Sequence, residues 1–436
     1  MVVERPRIAS DGPEPGDGGH ANESQEHVRW RMSVITGIGV VAPNGLGIKE
    51  YWAATLSGRS GIRKLDRFDT AGCPAGLAGL VRDVDPAVHP SGRLLPQTDV
   101  STRLALIAAQ GALDDADVDT AAMSGDDIGI VTASTSGSAE FTHPEFTRRW
   151  SRGPEHDGRN ESFAWFSAVN TGEVSIRHVL RGPSTGLLAE QAGGLDALGR
   201  ARHTIRTGVP LMLCGGVDSA FDPPGWASHL ASGRVSADPD PATAYRPFDT
   251  GATGYLPGEG GAACVVEDAA AALARHARVY GEIAGYAATF DPAPDSGRPP
   301  GLRRAIETAL ADAGITPADV DVVFADAAGV PQLDLAEARA LREVFGTRGV
   351  PITAPKALTG RLLSGGALLD VVSAVMSIQE AVIPATFGTR QVPAAYGIDV
   401  VLGEPRRAPV DTVLVLARGR WGFNAAVVIR QFQNGS

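Results

Sequence analysis

Short apolar runs closed by glycine or aspartate alternate along this chain with longer segments of helical period. VPLMLCGGVDSA (Val209–Ala220), GAACVVED (Gly261–Asp268), VDVVFADAAG (Val320–Gly329) and DTVLVLARG (Asp411–Gly419) read as buried strands. Between and around them lie TRLALIAAQGALDDA, LDALGRARHTIRTG, LRRAIETALADAG, LAEARALREVFG and LLDVVSAVMSIQEAVIP, each with the spacing of a helix that buries one face. The alternation predicts an α/β fold around a central, largely parallel sheet. With 436 residues the chain is long enough to bury a core of that size.

The pattern also echoes itself. A Gly-rich elbow at Gln191 opens one helix before the strand at Val209, and KALTGRLLSGGALLDVV opens another at about Leu368. Strands GIVTASTSG and VVFADAAG both end in Ala/Gly-rich turns, so a duplicated α/β unit accounts for the length without a long linker. The expected organisation is an extension over residues 1–31, a first half over 32–275 and a second half over 276–436. The extension is rich in Gly, Pro, Asp and Glu and lacks an apolar core, so it is expected to be disordered and not a signal peptide. Met32, at the start of the first strand, is an alternative translation start.

Charge and cysteine usage narrow the function classes. The formal net charge is -11 and no Lys/Arg block occurs, which argues against nucleic acid or an anionic membrane as partner. No apolar run reaches the length of about 18 residues that a membrane span needs. Cys73, Cys214 and Cys264 are odd in number and lack metal-ligand spacing, so a reducing cytoplasm, structural burial and no metal site are expected.

In LLAEQAGGLDALGRA the chain turns sharply where a nucleophile is often displayed, yet the residue displayed is Gln191. A carboxamide can hydrogen-bond but cannot form a thioester or act as a general base near neutral pH. GPSTG (Gly182–Gly186) fits the G-x-S-x-G elbow of hydrolases, with Ser184 as its serine, but no clear strand precedes it. The last of the nine histidines is His276, so the second half supplies no imidazole to a site between the halves.

AEQAGGLDAL, together with ITGIGVVAPNG, FTHPEF, YRPFD, GYLPGEGG and PKALTGRLLSGG, resembles the ketosynthase family of the thiolase fold. The closer resemblance is to the chain length factor, the beta subunit of ketosynthases in bacterial type II aromatic polyketide synthases. It runs from about Met32 to Phe432 and implies a duplicated, five-layer αβαβα architecture. Active ketosynthases carry a cysteine at the position of Gln191 and histidines in HGTGT-like and KxxxGH-like segments. Here the resemblance places Asp326 and Arg361 at the two histidine positions and retains Lys356. A carboxylate would repel a developing enolate and a guanidinium cannot shuttle a proton, so no catalytic residue is expected. Asp326 and Arg361 are expected to pair with each other or with nearby polar groups and so plug the pocket. By the same resemblance Arg420 occupies the phenylalanine gate near the C-terminus.

The resemblance further implies a noncatalytic subunit that pairs with a catalytic ketosynthase and shapes an interface tunnel limiting polyketide length. SAEFTHPEFTRRW would supply the wall, with a capping box predicting a helix from His143. Ala139, Thr142 and Phe146 would line the tunnel, the small Ala139 suiting a chain of C20 or longer. Acyl carrier protein, with its phosphopantetheine arm, would dock mainly through the partner, and this subunit would bind no cofactor. Three alternatives stand beside this reading: a Gln191-dependent decarboxylase of malonyl carrier protein that primes synthesis, a hydrolase using Ser184, and a stand-alone homodimeric ketosynthase, which would need an acylatable cysteine although Cys73, Cys214 and Cys264 lie outside the elbow.

Overall fold

The computed structural model describes residues 31–82, 98–137, 139–156 and 168–433. Of the expected N-terminal extension, residues 1–30 lie outside the described residues. Among the strands of the first part of the chain, five build its share of the central sheet: β1 (Ser33–Ala42), β2 (Ile128–Ala133), β3 (Ser184–Leu187), β4 (Leu211–Asp218) and β5 (Gly260–Asp268). Five more follow: β6 (Gly281–Phe290), β7 (Val322–Phe324), β8 (Pro351–Thr353), β9 (Thr412–Arg418) and β10 (Phe423–Arg430). The main helices are α1 (Val100–Asp115), α2 (Ala139–Arg152), α3 (Gly193–Arg206), α4 (Leu302–Ala313), α5 (Pro331–Phe345) and α6 (Ser364–Glu380).

The first set stands in the order β3-β2-β4-β5-β1 and the second in the order β8-β7-β9-β10-β6. In both sets this is third, second, fourth, fifth, first. The sets join where β1 and β6 pair antiparallel through Val34–Glu282 and Ile35–Gly281. Helices α3 and α6 pack together between the two sets, α3 on β2 and β4, and α6 on β4, β5 and β9. Outside them, α1 covers β1, β4 and β5, and α4 covers β6 and β10 with α5 beside it. The result is the five-layer, thiolase-like αβαβα arrangement.

Composition explains who lies where. Helix α6 is buried from Ser364 to Ile378, so LLDVVSAVMSI shows no polar face. Helix α1 is capped by Asp99, whose side chain accepts from Thr102 N at 2.8 Å, and lies so close to β1 that a Cβ on Gly39 would stand 1.9 Å from Ala108 O. Only glycine permits that approach.

Three sequence expectations need correction. The sheet is mixed, not largely parallel: β2, β3 and β4 are mutually parallel, as are β7, β8 and β9, but β1, β5, β6 and β10 pair antiparallel with their neighbours. Only four residues separate β9 from β10, too few for a parallel crossover. Helix α2 starts at Ala139, not His143, and carries Pro144 inside it. The missing N–H of Pro144 leaves the Glu140 carbonyl without its helical donor, close enough to the helix start to be tolerated. The second-half helix starts at Ser364, one turn before Leu368.

Cys214 and Cys264 face each other across β4 and β5 and are fully buried, whereas Cys73 is half-buried against a satellite cluster around Trp226. Ser184 opens the edge strand β3, exposed and away from any strand-to-helix elbow. Among the described residues no helix is long and apolar enough to cross a membrane, and no cluster of His, Cys, Asp or Glu could hold a metal ion.

Candidate functional site

The two inner helices begin at matching elbows. Before α3 the backbone turns through Glu190 with φ 51°, and before α6 through Leu363 with φ 49°. Neither residue is glycine, so both elbows hold a left-handed conformation that costs an L-residue about 1 kcal/mol or more. The helix starts then meet: a Cβ on Gly194 would lie 2.5 Å from Ser364 O. Ser364 Oγ donates to Glu190 O at 3.2 Å, and Ser364 N donates to the buried Asp218 carboxylate at 2.9 Å.

Gln191 closes this junction. With its amide oriented as its neighbours require, Nε2 donates to Leu363 O at 3.1 Å and Oε1 accepts from Leu363 N at 3.2 Å. The side chain displayed at one elbow therefore satisfies the backbone of the other. Leu363 N would otherwise be an unpaired donor at the start of a buried helix, at a cost of about 1–3 kcal/mol. Gln191 is itself 6 % exposed.

Asp326 and Arg361 meet a short distance away, both more than nine-tenths buried. Arg361 Nη1 donates to Asp326 Oδ2 and Nη2 to Asp326 Oδ1, each at 3.0 Å. The guanidinium also donates to Asp326 O at 2.9 Å and Arg418 O at 3.1 Å, while Asp326 Oδ1 accepts from Arg418 N at 2.9 Å. Burial works to raise the Asp326 carboxyl, but the charges of Arg361 and Lys356 outweigh it and hold the group below the usual carboxylate range. Lys356 in turn pairs with the buried Asp370 at 2.6 Å.

The turn that presents Asp326 is held by two carboxylates that sequence reasoning did not single out. Glu337 accepts from Asp326 N at 2.8 Å and Ala327 N at 2.9 Å; Asp334 accepts from Phe248 N at 2.7 Å and Gly329 N at 2.9 Å. Both project from α5, and Tyr245 OH donates to Ala327 O at 2.7 Å. Burial pushes the Asp334 carboxyl up to about 7 and raises Glu337 as well. Two acids three residues apart on the apolar side of LDLAEARAL were the available signal.

A cleft of about 160 Å³ remains, lined by Glu190, Asp326, Arg361, Arg418 and Arg420 among others. Glu190 Oε2 accepts from Gln191 N at 2.9 Å and Arg420 N at 2.8 Å, and burial raises its pKa. Arg420 lies in the turn Arg420–Gly422, its guanidinium 5.3 Å from the ring of the exposed Trp421. Among the described residues no cysteine, histidine or serine lines the cleft. Cys214 and Cys264, the buried thiols of β4 and β5, are raised by desolvation and lie in strands, not at an elbow.

The N-terminal and C-terminal domain models of beta-ketoacyl synthase match residues 33–272 and 280–390. The chain belongs to the beta-ketoacyl synthase family. It is 62 % identical over 403 residues to the protein named beta-ketoacyl synthase 2 of actinorhodin polyketide formation in Streptomyces coelicolor, covering 92 % of this chain and 99 % of that relative. It is 52 % identical to the tetracenomycin polyketide synthase ketoacyl synthase beta subunit of Streptomyces glaucescens, covering 91 % and 98 %. The solved ishigamide ketosynthase/chain length factor superposes with a TM-score of 0.85 at 27 % identity, over 93 % of this chain and all of that one.

Within this family the condensing chemistry needs a nucleophile and proton-transfer groups. Gln191, Asp326 and Arg361 instead spend their polar atoms on one another's surroundings. Of the expected tunnel residues, Phe146 is half-buried on α2; Ala139 and Thr142 fall in the same helix, but their side chains lie outside the described residues.

Proposed function

We propose that this chain is the noncatalytic chain length factor of a type II polyketide synthase, paired with a catalytic ketosynthase and shaping the tunnel that sets product length. The observation that supports the reading is the saturated Asp326–Arg361 pair beside the Gln191 staple: the three residues that the resemblance puts at catalytic positions are packed and hydrogen-bonded. The partner supplies the cysteine and histidines, and acyl carrier protein delivers its phosphopantetheine-borne units mainly there. Residues 32–275 and 276–436 are the two ketosynthase-like halves, and the complex works in the cytoplasm.

A partner surface supports the pairing. Among the described residues edge strand β3 bonds only to β2, and Ile176, Val179 and Leu188 beside it are 76 %, 55 % and 59 % exposed. An unpaired edge flanked by large apolar side chains is unstable in isolation and suits a permanent interface. In this reading helix α2, which carries Ala139, Thr142 and Phe146, forms the wall, and Arg420 stands at a gate without traffic. The small Ala139 suits a product of C20 or longer.

The test is reconstitution with the ketosynthase partner and malonyl carrier protein. The chain alone is expected to give no condensation, the pair to give a defined polyketide, and Ala139→Phe to shorten it. A product length unmoved by Ala139→Phe in an assembled pair would overturn the tunnel reading. The amide of Gln191, engaged at both ends by Leu363, favours this reading over a priming decarboxylase.

A further inference from the structure

A second cavity, of about 500 Å³, opens between α4 and α5, and Arg418 lines both it and the cleft around Asp326. Pro299, Pro300, Leu302, Ala336 and Ala340 give it an apolar floor. Around that floor stand four arginines, Arg303, Arg304, Arg339 and Arg418, against two glutamates, Glu307 and Glu343. In a chain with a formal net charge of -11 this local surplus of cations stands out. Both glutamates are engaged by one arginine: Arg303 Nε donates to Glu307 Oε1 at 2.7 Å and Nη1 to Glu343 Oε2 at 3.2 Å. Arg418 Nη1 donates to Leu333 O at 3.1 Å. Among the described residues Arg304 and Arg339 have no ion-pair or hydrogen-bond partner.

The start of α4 adds to the imbalance. Its N-cap is Gly301, which has no side chain to cap the first turn, and no acid lies in that turn. Asp291, beside it, is engaged by Gly301 N at 2.6 Å and Asn424 Nδ2 at 2.8 Å. The first helical residues are instead Leu302, Arg303 and Arg304, all of which line the cavity. A helix N-terminus carries partial positive charge and unpaired N–H groups, so two arginines there are placed against the dipole. An anion in the cavity reverses the sign of that arrangement: the N–H groups, the dipole and the unpaired guanidiniums all then act in the same direction.

We propose that this cavity is a small-molecule site for an aromatic carboxylate, its rings on the apolar floor and its carboxylate held by Arg304, Arg339 and the start of α4. The volume falls in the range of roughly 300–1,000 Å³ typical of such sites, which combine apolar walls with a few convergent polar groups. A guanidinium fork matches the two oxygens of a carboxylate, and its plane stacks on aromatic faces, so one pair of arginines serves both parts of the ligand. The rings take the prolines and alanines of the floor out of water. The site stands apart from the Asp326–Arg361 pair and needs no partner subunit.

The test is calorimetric titration of the full chain with 2-naphthoate, beside three probes that divide its features. 2-Naphthylmethanol lacks the charge, acetate lacks the rings, and 2-naphthyl phosphate changes the anion. 2-Naphthoate is expected to bind saturably at one site and to raise the melting temperature with its concentration, and the alcohol and acetate to bind at least about tenfold more weakly. The double variant Arg304→Gln with Arg339→Gln should weaken 2-naphthoate about tenfold. Both arginines are exposed, and the first change removes a cation from the positive end of α4, so this variant should melt no lower than the parent without ligand. Ala336→Phe fills the cavity and should weaken binding to a similar degree, whereas Arg407→Gln, exposed elsewhere, should not. Unchanged affinity in the folded arginine variant would overturn the site, as would an equal loss in Arg407→Gln. Tighter binding of the phosphate than of 2-naphthoate would overturn the carboxylate as its anion. The titration uses neither ketosynthase nor carrier protein, so its failure leaves the chain-length reading standing.

Discussion

Arg361 holds Asp326 in a two-pronged ion pair, Nη1 to Oδ2 and Nη2 to Oδ1 at 3.0 Å each, with both side chains more than nine-tenths buried. A pair taken out of water is neutral at best against an apolar filling, but removing one partner strands a buried charge. Asp326→Ala is therefore expected to lower unfolding free energy by about 3–5 kcal/mol, read by urea denaturation. The double variant Asp326→Leu with Arg361→Met should recover most of that loss. A single variant as stable as the parent would show that the pair plugs nothing.

The amide of Gln191 separates structure from chemistry. Gln191→Ala leaves Leu363 N and O without their partner and is expected to cost about 1–3 kcal/mol of stability. In the assembled pair, carbon dioxide release from malonyl carrier protein should be unchanged. A decarboxylase would instead lose that release in step with the substitution.

Much of this architecture was legible as pattern. The apolar runs at Val209, Gly261 and Asp411 are strands β4, β5 and β9, and the echo between the elbows at Gln191 and KALTGRLLSGG corresponds to two helices that start face to face. Strand direction was not legible, because a fully buried run such as GAACVVED looks the same in parallel and antiparallel surroundings. Nor was the company of the site residues. Gln191 is stapled to Leu363, and Asp326 to Arg361, across spans of sequence that no local spacing relates. Glu337 and Asp334 read as ordinary helix acids until three N–H groups of the turn over them, and Phe248 N from another segment, are seen to need acceptors.

Asp196, in the first turn of α3, accepts from Tyr286 OH at 2.8 Å, and burial pushes its carboxyl up to about 6, well above the usual carboxylate range. A carboxyl with a raised folded pKa favours the protonated native state. Stability is therefore highest below the unfolded pKa, falls as pH rises toward 6, and is level above it. The fall should be roughly 2–3 kcal/mol. Asp196→Asn keeps an acceptor for Tyr286 and should lose this contribution, so the stability difference between variant and parent should widen in the variant's favour from pH 4 to pH 7. Equal differences at both pH values would place the Asp196 proton elsewhere.

Among the described residues strand β3 pairs on one side only, and the large apolar groups around it are exposed. Val179 and Leu188 are exposed, so changing them to glutamate should leave the unfolding free energy within about 0.5 kcal/mol of the parent. At the partner interface the same two charges would be buried without counter-ions, each costing several kcal/mol. The double variant Val179→Glu with Leu188→Glu is thus expected to melt normally yet fail to co-purify with the ketosynthase. A charge on Leu273, 38 % exposed and on neither the β3 edge nor α2, serves as the comparison. Co-purification of the edge variant at the parent's level would move the interface off β3.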